Sequence, residues 1–240
     1  MVSFAISGQV DPMLEATFEP GDKLYCESGS MVTMDEHLSL IGKARGGFLS
    51  AIGRKMLNDE SFFQQRIEAG ERGGVALLSP TLAGDVRVLD VGEAQYSVAD
   101  GCYLANTEGV KLSVGTQSFG KALFAGTGSG LKGFFVMKTS GRGQLAISGF
   151  GSLREVEVSA ERPVLVDNGH LVAWDSNLSY EVALNTAHKG FFGSMVESVV
   201  SGTMVVLRFS GRGRVFVSSR NRNDLVNWIA RAISTREAPS

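Results

Sequence analysis

Two glycine-rich stretches are the parts of this sequence that come closest to phosphate-binding chemistry. Residues 115–122 (GTQSFGKA) nearly match the P-loop pattern, in which backbone N–H groups and Lys121 would hold phosphates. Ala122, however, stands where a Ser or Thr must bind Mg²⁺, and the residues that follow are too rich in glycine for the required helix. Residues 128–133 (GSGLKG) fit the spacing G-x-G-x-x-G, but they lead into an apolar run that is typical of a strand. Neither stretch predicts a nucleotide site, and no cofactor is expected.

The histidines and acidic residues are not spaced for metal or hydrolytic chemistry. His37, His170 and His188 occur singly, whereas a cupin-like metal centre needs two or three histidines that converge from neighbouring strands with a carboxylate. Glu155 and Glu157 would share one face of a strand, as surface glutamates commonly do, and nothing marks a sugar pocket between them. No G-x-S-x-G nucleophile motif occurs. The sequence therefore predicts no catalytic and no metal-binding residues, and we expect a protein that is not an enzyme.

Composition indicates a globular protein. The chain has 240 residues, of which 43% are hydrophobic and 20% charged, which is enough for a substantial core. Its formal charge of −2 excludes a whole-protein attraction to nucleic acid or anionic lipid, so binding to either would have to be local. Residues 1–5 lack the pattern of a secretory signal, and no apolar run reaches the length of a spanning helix. These features predict a cytoplasmic protein in which Cys26 and Cys102 stay reduced.

Strands must carry most of the fold, because apolar and polar residues alternate with a period of two and 30 glycines separate the alternating runs. Three runs, residues 24–29, 96–101 and 164–169, align without gaps, and each ends in a glycine. Gly29, Gly101 and Gly169 lie 72 and 68 residues apart (29 to 101 and 101 to 169). Each follows Ser, Asp or Asn, which is typical of hairpin turns. The chain therefore repeats itself three times.

A second feature recurs at the same spacing. The dipeptide Arg-Gly at 72–73, 142–143 and 212–213 precedes an apolar strand each time, and the Gly-Arg-Gly segments 141–143 and 211–213 read as a second hairpin. Each repeat thus offers about four strands, too few to bury an apolar face alone, so three repeats must share a core with approximate threefold symmetry. We predict a single all-β domain over residues 1–222, with modules at about 10–86, 87–155 and 156–222, followed by a helix and tail at 223–240.

A segment rich in Gly, Phe and Lys or Arg lies between the two predicted hairpins of each repeat, at 46–57, 119–134 and 188–193. The first has the pattern of a helix of about two turns, with basic residues opposite an apolar side. Two interpretations stay open. The aromatic side chains plug the ends of the β-structure, or the segments form related patches that contact a membrane, another subunit or a partner. The candidate contact residues are Phe48, Leu49, Arg54, Lys55, Phe119, Lys121, Phe124, Lys189, Phe191 and Phe192.

The C-terminal residues have the pattern of an α-helix. Asn223 can cap a run in which Leu225, Trp228, Ile229 and Ile233 recur at helical spacing. We expect this apolar stripe to dock onto the β-sheet. A nucleic-acid-binding arm is the alternative, since seven arginines lie between residues 208 and 236.

The order of these features resembles a known family. The Ser-Gly turn at 28–29, the segment 46–57, the run 58–63 (NDESFF) and the segment 89–92 (LDVG) are similar to the altered-inheritance-of-mitochondria family over roughly residues 10–220. The resemblance implies three tandem β-sandwich modules of the tryptophan RNA-binding attenuator type, arranged about a pseudo-threefold axis. It also implies a non-enzymatic role, because the mitochondrial members support inner-membrane organisation and no catalytic residues are known to transfer.

Together, these observations predict a non-enzymatic scaffold or binding protein. We expect it to self-associate and to act on a protein partner or at a membrane surface, as a cytoplasmic or peripheral membrane protein. Nucleic acid is not the expected partner, but a nucleic-acid binder that uses Arg212, Arg214, Arg220 and Arg222 is one alternative. The other is an enzyme or sensor with an unrecognised site between modules.

Overall fold

The computed structural model describes residues 1–42, 64–116, 135–182 and 206–234. These residues form β-strands, a short 3-10 helix at Asn168–His170, and an α-helix, α1, at Arg222–Ser234. The strands are β1 (Ser3–Ser7), β2 (Met13–Phe18), β3 (Lys23–Glu27), β4 (Met31–Met34), β5 (Leu38–Gly42), β6 (Gln64–Ala69), β7 (Gly74–Leu78), β8 (Val86–Val91), β9 (Tyr96–Ala99), β10 (Tyr103–Thr107), β11 (Val110–Thr116), β12 (Phe135–Gly141), β13 (Gly143–Ser148), β14 (Leu153–Val158), β15 (Val164–Asp167), β16 (Leu171–Asp175), β17 (Ser179–Val182), β18 (Val206–Ser210) and β19 (Gly213–Ser218). The prediction of an all-β fold followed by a C-terminal helix is confirmed.

The strands form four sheets. Their strand orders are β1-β2-β7-β4 in sheet 1, β5-β6-β3-β10-β13-β8 in sheet 2, β11-β12-β9-β16-β19-β14 in sheet 3 and β15-β18-β17 in sheet 4. All of the pairings described are antiparallel; β2, for example, pairs with β7 from Leu14↔Leu78 to Phe18↔Gly74. The alternation read from the sequence has its expected consequence in β2, where every second residue is buried.

The chain divides into two compact units. Unit 1 contains residues 1–94, 101–112 and 139–148 and holds sheets 1 and 2. Its core packs alternate residues of the two sheets together, among them Leu14, Leu24, Ile67, Leu78 and Leu104, each of which is fully buried. Burial of apolar side chains on this scale is the main contribution to the stability of the unit.

Unit 2 contains residues 95–100, 113–138 and 149–240 and holds sheets 3 and 4 together with α1, except that the ends of β11 and β12 belong to unit 1. An aromatic cluster lies in its core. The Trp174 ring centroid is 5.4 Å from that of Tyr180 and 5.7 Å from that of Phe209, both in edge-on contacts. Such contacts stabilise the core beyond the area they bury.

The glycines at 29, 101 and 169 mark turns, but the hairpins predicted there are wrong. Gly29 and Gly101 have φ angles of 85° and 70°, as a turn glycine should, while Gly169 lies in the 3-10 helix. The strands on either side of each turn enter different sheets, since β3 is in sheet 2 and β4 in sheet 1. The same is true of β12 and β13 and of β18 and β19, which flank the Gly-Arg-Gly segments. The chain crosses between sheets at these turns and does not fold back on its own neighbour.

The two strands that flank each Gly/Phe/basic segment are consecutive in sequence and are neighbours in one sheet, as β1 and β2 also are. β5 pairs with β6 from Leu38↔Ala69 to Gly42↔Gln65, and β17 pairs with β18 from Ser179↔Ser210 to Val182↔Leu207. β11 and β12 are likewise neighbours in sheet 3. Each segment therefore connects the two strands of one hairpin, which corrects the prediction that it lies between two hairpins.

Several contacts recur at the spacing of the three glycines. The register slips by one residue in β4, β10 and β16, between the second and fourth residues after Gly29, Gly101 and Gly169. Such bulges increase the twist of a strand, which helps it to leave the previous sheet.

A side chain six residues after each glycine then fixes the following turn, because it accepts a hydrogen bond from the backbone of the last strand of the repeat. The bonds run from Val75 N to Asp35 Oδ2 (2.8 Å), from Gln144 N to Thr107 Oγ1 (2.9 Å) and from Arg214 N to Asp175 Oδ2 (2.9 Å).

Candidate contact surface

The ten candidate contact residues from the sequence lie outside the described residues, in the segments 43–63, 117–134 and 183–205. They remain predictions. The structure describes the strand ends between which two of these segments run. Gly42 pairs with Gln65 at the end of the β5–β6 hairpin, and Val182 pairs with Leu207 at the end of the β17–β18 hairpin.

The surface of α1 carries four of the large apolar side chains that are exposed among the described residues. Val226 is 57% exposed, Trp228 68%, Ile229 41% and Ile233 58%. The expectation that this stripe docks onto the β-sheet is therefore wrong for three of the four residues named, since only Leu225 is partly buried. Helical periodicity predicts that apolar residues share a face, but it does not say what covers that face.

The residues of α1 separate into an apolar and a polar side. At about 100° per residue, an arc of about 160° contains Trp228, Ala232, Leu225, Ile229, Ile233 and Val226, together with Arg222 at the first residue of the helix. Asn223, Asn227 and Arg231 lie on the opposite side. The helix is thus amphipathic, and most of its apolar side is exposed to solvent.

Asn221 caps the start of α1. Its side-chain Oδ1 accepts a hydrogen bond from Asn223 N (2.8 Å), and its carbonyl oxygen accepts the first helical bond, from Leu225 N (3.3 Å). These are the two roles of an N-cap residue, so the cap predicted at Asn223 is wrong by two positions. Asp224, three residues after Asn221, was the sequence signal that could have located it, because acidic residues favour the first turn.

The turn at Gly169 lies directly against this cap. A Cβ atom added to Gly169 would clash with the side-chain amide of Asn221, so a larger residue there would displace the capping side chain. The neighbouring His170 is held through its Nδ1, 2.8 Å from the carbonyl oxygen of Ser218. The last strand and the start of α1 are therefore fixed to the 3-10 turn of unit 2.

Further contacts hold the connection between β19 and α1. Arg220 N donates to the carbonyl oxygen of Phe150 (3.1 Å), and the Arg220 guanidinium carbon lies 5.8 Å from the centre of the Phe150 ring. Arg222 Nη2 lies 3.5 Å from Asp100 Oδ2, in an ion pair whose two side chains are both partly exposed. The base of the helix is thus fixed while its apolar side stays open to solvent.

Charge is distributed unevenly along the chain. Residues 208–240 contain seven arginines, no lysine, Asp224 and Glu237, which gives a formal charge of +5. Since the whole chain carries −2, residues 1–207 carry −7. The exposed apolar helix therefore lies within a basic part of an otherwise acidic protein.

The four arginines named for nucleic-acid binding are not equally available. Arg214 makes a two-pronged ion pair with Asp175 (Nε–Oδ2 3.3 Å, Nη2–Oδ1 3.3 Å) and donates to the Tyr96 hydroxyl (3.0 Å). The bond with Asp175 raises the pKa of Arg214 above its usual value. Arg222 is paired with Asp100, whereas Arg212 is exposed at a turn. Two of the four side chains thus already have carboxylate partners.

A buried polar cluster in sheet 2 escaped the sequence reading. The Tyr103 hydroxyl accepts from Gln64 Nε2 (3.0 Å) and lies 2.7 Å from Asn106 Oδ1 and 3.0 Å from the carbonyl oxygen of Tyr25. Burial raises the pKa of Tyr103 well above its usual value of 10.0, so the hydroxyl stays protonated. The polar residue Asn106 in an otherwise apolar strand was the available signal. Because the cluster joins β3, β6 and β10, it holds three strands in register.

Metal and thiol chemistry receive no support from the described residues. Within them, no group of three or more His, Cys, Asp or Glu side chains is arranged to hold a metal ion. His37 and His170 instead contact backbone carbonyl oxygens of Gly73 and Ser218. Cys26 and Cys102 are present as thiols, and Cys26 is fully buried. In the same described ranges, no helix is long and apolar enough to cross a membrane.

Comparison with known proteins gives a consistent result. The family model described as mitochondrial biogenesis AIM24 matches residues 4–220. An uncharacterised protein of Streptococcus pyogenes serotype M6 is 33% identical over 230 residues, which are 93% of this chain and 88% of that protein. A crystal structure of a Streptococcus pyogenes protein has the same fold, with 30% identity and a TM-score of 0.76, and the match covers 97% of this chain and all of the other.

Proposed function

Because this chain belongs to the mitochondrial biogenesis AIM24 family, we propose that it is a non-enzymatic binding protein or scaffold that works through a contact surface. The supporting observation is the apolar side of α1, on which four large side chains are 41–68% exposed. An exposed apolar patch with a polar border marks a site of interaction more often than a chance surface feature.

The polar clusters of the described residues support the same proposal. Tyr103, Asn106 and Gln64 bond one another and the backbone, and Asp175 bonds a backbone N–H group and Arg214. Each of these groups has a partner that holds strands or turns in place. These two clusters therefore act in the packing of strands and turns.

The three Gly/Phe/basic segments extend the proposal to a second set of residues. Each segment connects the two strands of one hairpin. We expect Phe48, Phe191 and Phe192 to contribute to the contact surface. Replacing these three residues by serine is expected to weaken binding to partner or membrane while the fold is retained. Unfolding of the variant, or unchanged binding, would instead favour aromatic side chains that plug the β-structure.

Native mass spectrometry of protein purified gently from its own host tests the proposal as a whole. A homo-oligomer, or a complex with a protein or lipid, is the expected result. The matched variant Trp228→Ser is expected to reduce the complex, and Asn227→Ser, on the polar side of α1, is expected to retain it. A stoichiometric metal or small molecule held equally by all three proteins would contradict the proposal and favour an enzyme or sensor.

Nucleic-acid binding remains the second candidate, because the last 33 residues carry a formal charge of +5. It requires an affinity that falls steeply with salt concentration, since release of counterions drives such binding. Absence of binding to RNA and DNA at low ionic strength would eliminate it.

A further inference from the structure

We propose that α1 is an interfacial helix that seats the protein on an anionic lipid surface. This inference rests on the proposed function, since it names the partner of the same contact surface. It follows from three properties of the helix: the width of its exposed apolar side, the charge around it and the area that it offers.

The first property is the division of α1 into two sides. The apolar arc of about 160° combines Trp228 at one border with aliphatic residues, among them Ile229 and Ile233, across its centre. The opposite side carries Asn223, Asn227, Arg231 and Asp224. An amphipathic helix with these features lies in the plane of a bilayer, with the apolar side at the level of the upper acyl chains and the polar side in water.

The second property is charge. Between positions 215 and 234 the sequence has three arginines, Arg220, Arg222 and Arg231, against one acidic residue, Asp224, which gives a formal charge of +2. Arg220 and Arg222 are at the base of α1, where Arg222 is 3.5 Å from Asp100. With Asp100 counted, the charged residues of and around α1 still sum to +1, and they lie in a C-terminal part with a formal charge of +5, which attracts lipid phosphates.

The third property is area, which argues against a second copy of the chain. At about 200 Å² for a fully exposed large side chain, the four side chains with exposures of 41–68% offer on the order of 450 Å². A specific protein interface buries about 800 Å² on each partner, polar atoms included, so a second copy would have to bury further surface besides these four side chains. A bilayer imposes no such minimum, because it needs no complementary protein surface. Nucleic acid is disfavoured for another reason: it offers nothing to cover an isoleucine-rich helix face.

Tryptophan emission from the full-length protein gives a direct test. The chain has two tryptophans, of which Trp174 is 1% exposed and Trp228 is 68% exposed, so a change in emission on binding reports Trp228. Vesicles of phosphatidylcholine and phosphatidylglycerol in equal parts are expected to shift the emission to shorter wavelength and to carry the protein in flotation. Neutral phosphatidylcholine vesicles, or high salt, are expected to reduce both effects.

Two variants identify the surface. Replacing Ile229 and Ile233 together by serine is expected to lower vesicle affinity by about tenfold or more, because two buried aliphatic side chains are lost. Asn227→Ser, on the polar side, is the control and is expected to bind as the original protein does. Serine, isoleucine and asparagine have similar helix propensities, so neither variant should unfold α1.

The outcomes separate the lipid proposal from the proposed function. No emission shift at any vesicle concentration, or equal binding by the double variant, would overturn the lipid proposal. A shift that depends on protein concentration without vesicles would mean that a second copy covers the helix; it would also overturn the lipid proposal while leaving a contact surface. A shift with RNA that vesicles do not reproduce would overturn both.

Discussion

Cys26 lies fully buried in β3, and its burial raises the pKa of the thiol from the usual value of 9.0 to about 11, although a hydrogen bond with Ser30 lowers it slightly. As the pH rises, the unfolded chain therefore loses this proton before the folded chain does. The contribution of the neutral thiol is fully present below pH 9 and is lost as the pH rises through about 11. The thiol is a packing group and a poor nucleophile.

Alkaline stability tests this description of Cys26. Between pH 8 and pH 11, the free energy of unfolding of the original protein is expected to fall by about 2 kcal/mol more than that of Cys26→Ala. Urea unfolding at each pH measures both proteins, and Tyr103 is present in both. Parallel pH profiles for the two proteins would show that the pKa of Cys26 is not raised.

Asp175 accepts a hydrogen bond from the backbone N–H of Arg214 and also forms an ion pair with the Arg214 side chain. Asp35 accepts the equivalent backbone bond from Val75, which has no charged side chain to pair with it. Asp175→Ala is expected to cost about 2 kcal/mol of unfolding free energy and Asp175→Asn about 1 kcal/mol, because the amide keeps an acceptor oxygen for Arg214 N. The ion-pair part is small because the Arg214 side chain is 35% exposed.

Chemical denaturation of these variants and of Asp35→Ala measures the difference. Asp35→Ala is expected to cost about 1 kcal/mol, since it removes the backbone bond alone. Equal costs for Asp175→Asn and Asp175→Ala would mean that the backbone bond contributes nothing.

At the scale of elements, the turns that carry the chain between sheets depend on close approach of backbones. A Cβ atom on Gly109, between β10 and β11, would stand 2.2 Å from the carbonyl oxygen of Arg142, between β12 and β13. That contact cannot relax by a rotamer change, because the main chain fixes the position of the Cβ atom and the carbonyl oxygen is itself part of the main chain. The two turns are also joined by a bond from Arg142 N to the carbonyl oxygen of Gly109 (3.2 Å).

Gly109→Ala is therefore expected to destabilise the protein by about 2 kcal/mol or more. Gly70→Ala is the matched control, since no atom lies within 4 Å of a Cβ placed there, and it is expected to be nearly neutral. Thermal unfolding distinguishes the two variants. A Gly109→Ala protein as stable as the Gly70→Ala protein would contradict the close packing of these turns.

The start of α1 offers a second test at this scale. Asn221→Ala removes the side-chain acceptor for Asn223 N and is expected to weaken the helix by about 1 kcal/mol. Faster amide hydrogen exchange in residues 222–228 measures the change, and Asn227→Ala in the middle of the helix is the control. If Asn223→Ala has the larger effect, the cap lies where the sequence first suggested it.

The same elements show how far sequence patterns reach. Alternation identified β2 and β3 because one side of each faces a core, and the turn glycines identified the ends of strands. The partners of those strands were not predictable. A glycine with positive φ serves a hairpin and a crossing between sheets equally well, and the bulges in β4, β10 and β16 leave no local signature.

The candidate contact surface was predictable only in part, for a related reason. The periodicity of Leu225, Trp228, Ile229 and Ile233 predicted a helix with one apolar side, which is confirmed. Whether that side meets the sheet or the solvent depends on where β19 ends and how Asn221 directs the chain, and this is set by contacts with Phe150, Gly169 and Asp100. These contacts join residues distant in sequence, which local patterns do not encode.

At the scale of the whole molecule, strands β1 to β19 are followed by one amphipathic helix, α1. Residues 208–240 carry a positive formal charge, whereas residues 1–207 carry a negative one. In this account, the sheets provide a fixed base and α1 provides the contact. Partner binding should therefore change α1 and leave the strands that anchor it unaltered.

Hydrogen exchange of the full-length protein, followed by mass spectrometry with and without anionic vesicles, tests this central claim most directly. The account predicts that amides of Arg222–Ser234 gain protection on binding, while those of β19 (Gly213–Ser218) do not change. Protection confined to the strands, with α1 exchanging as in the free protein, would contradict it.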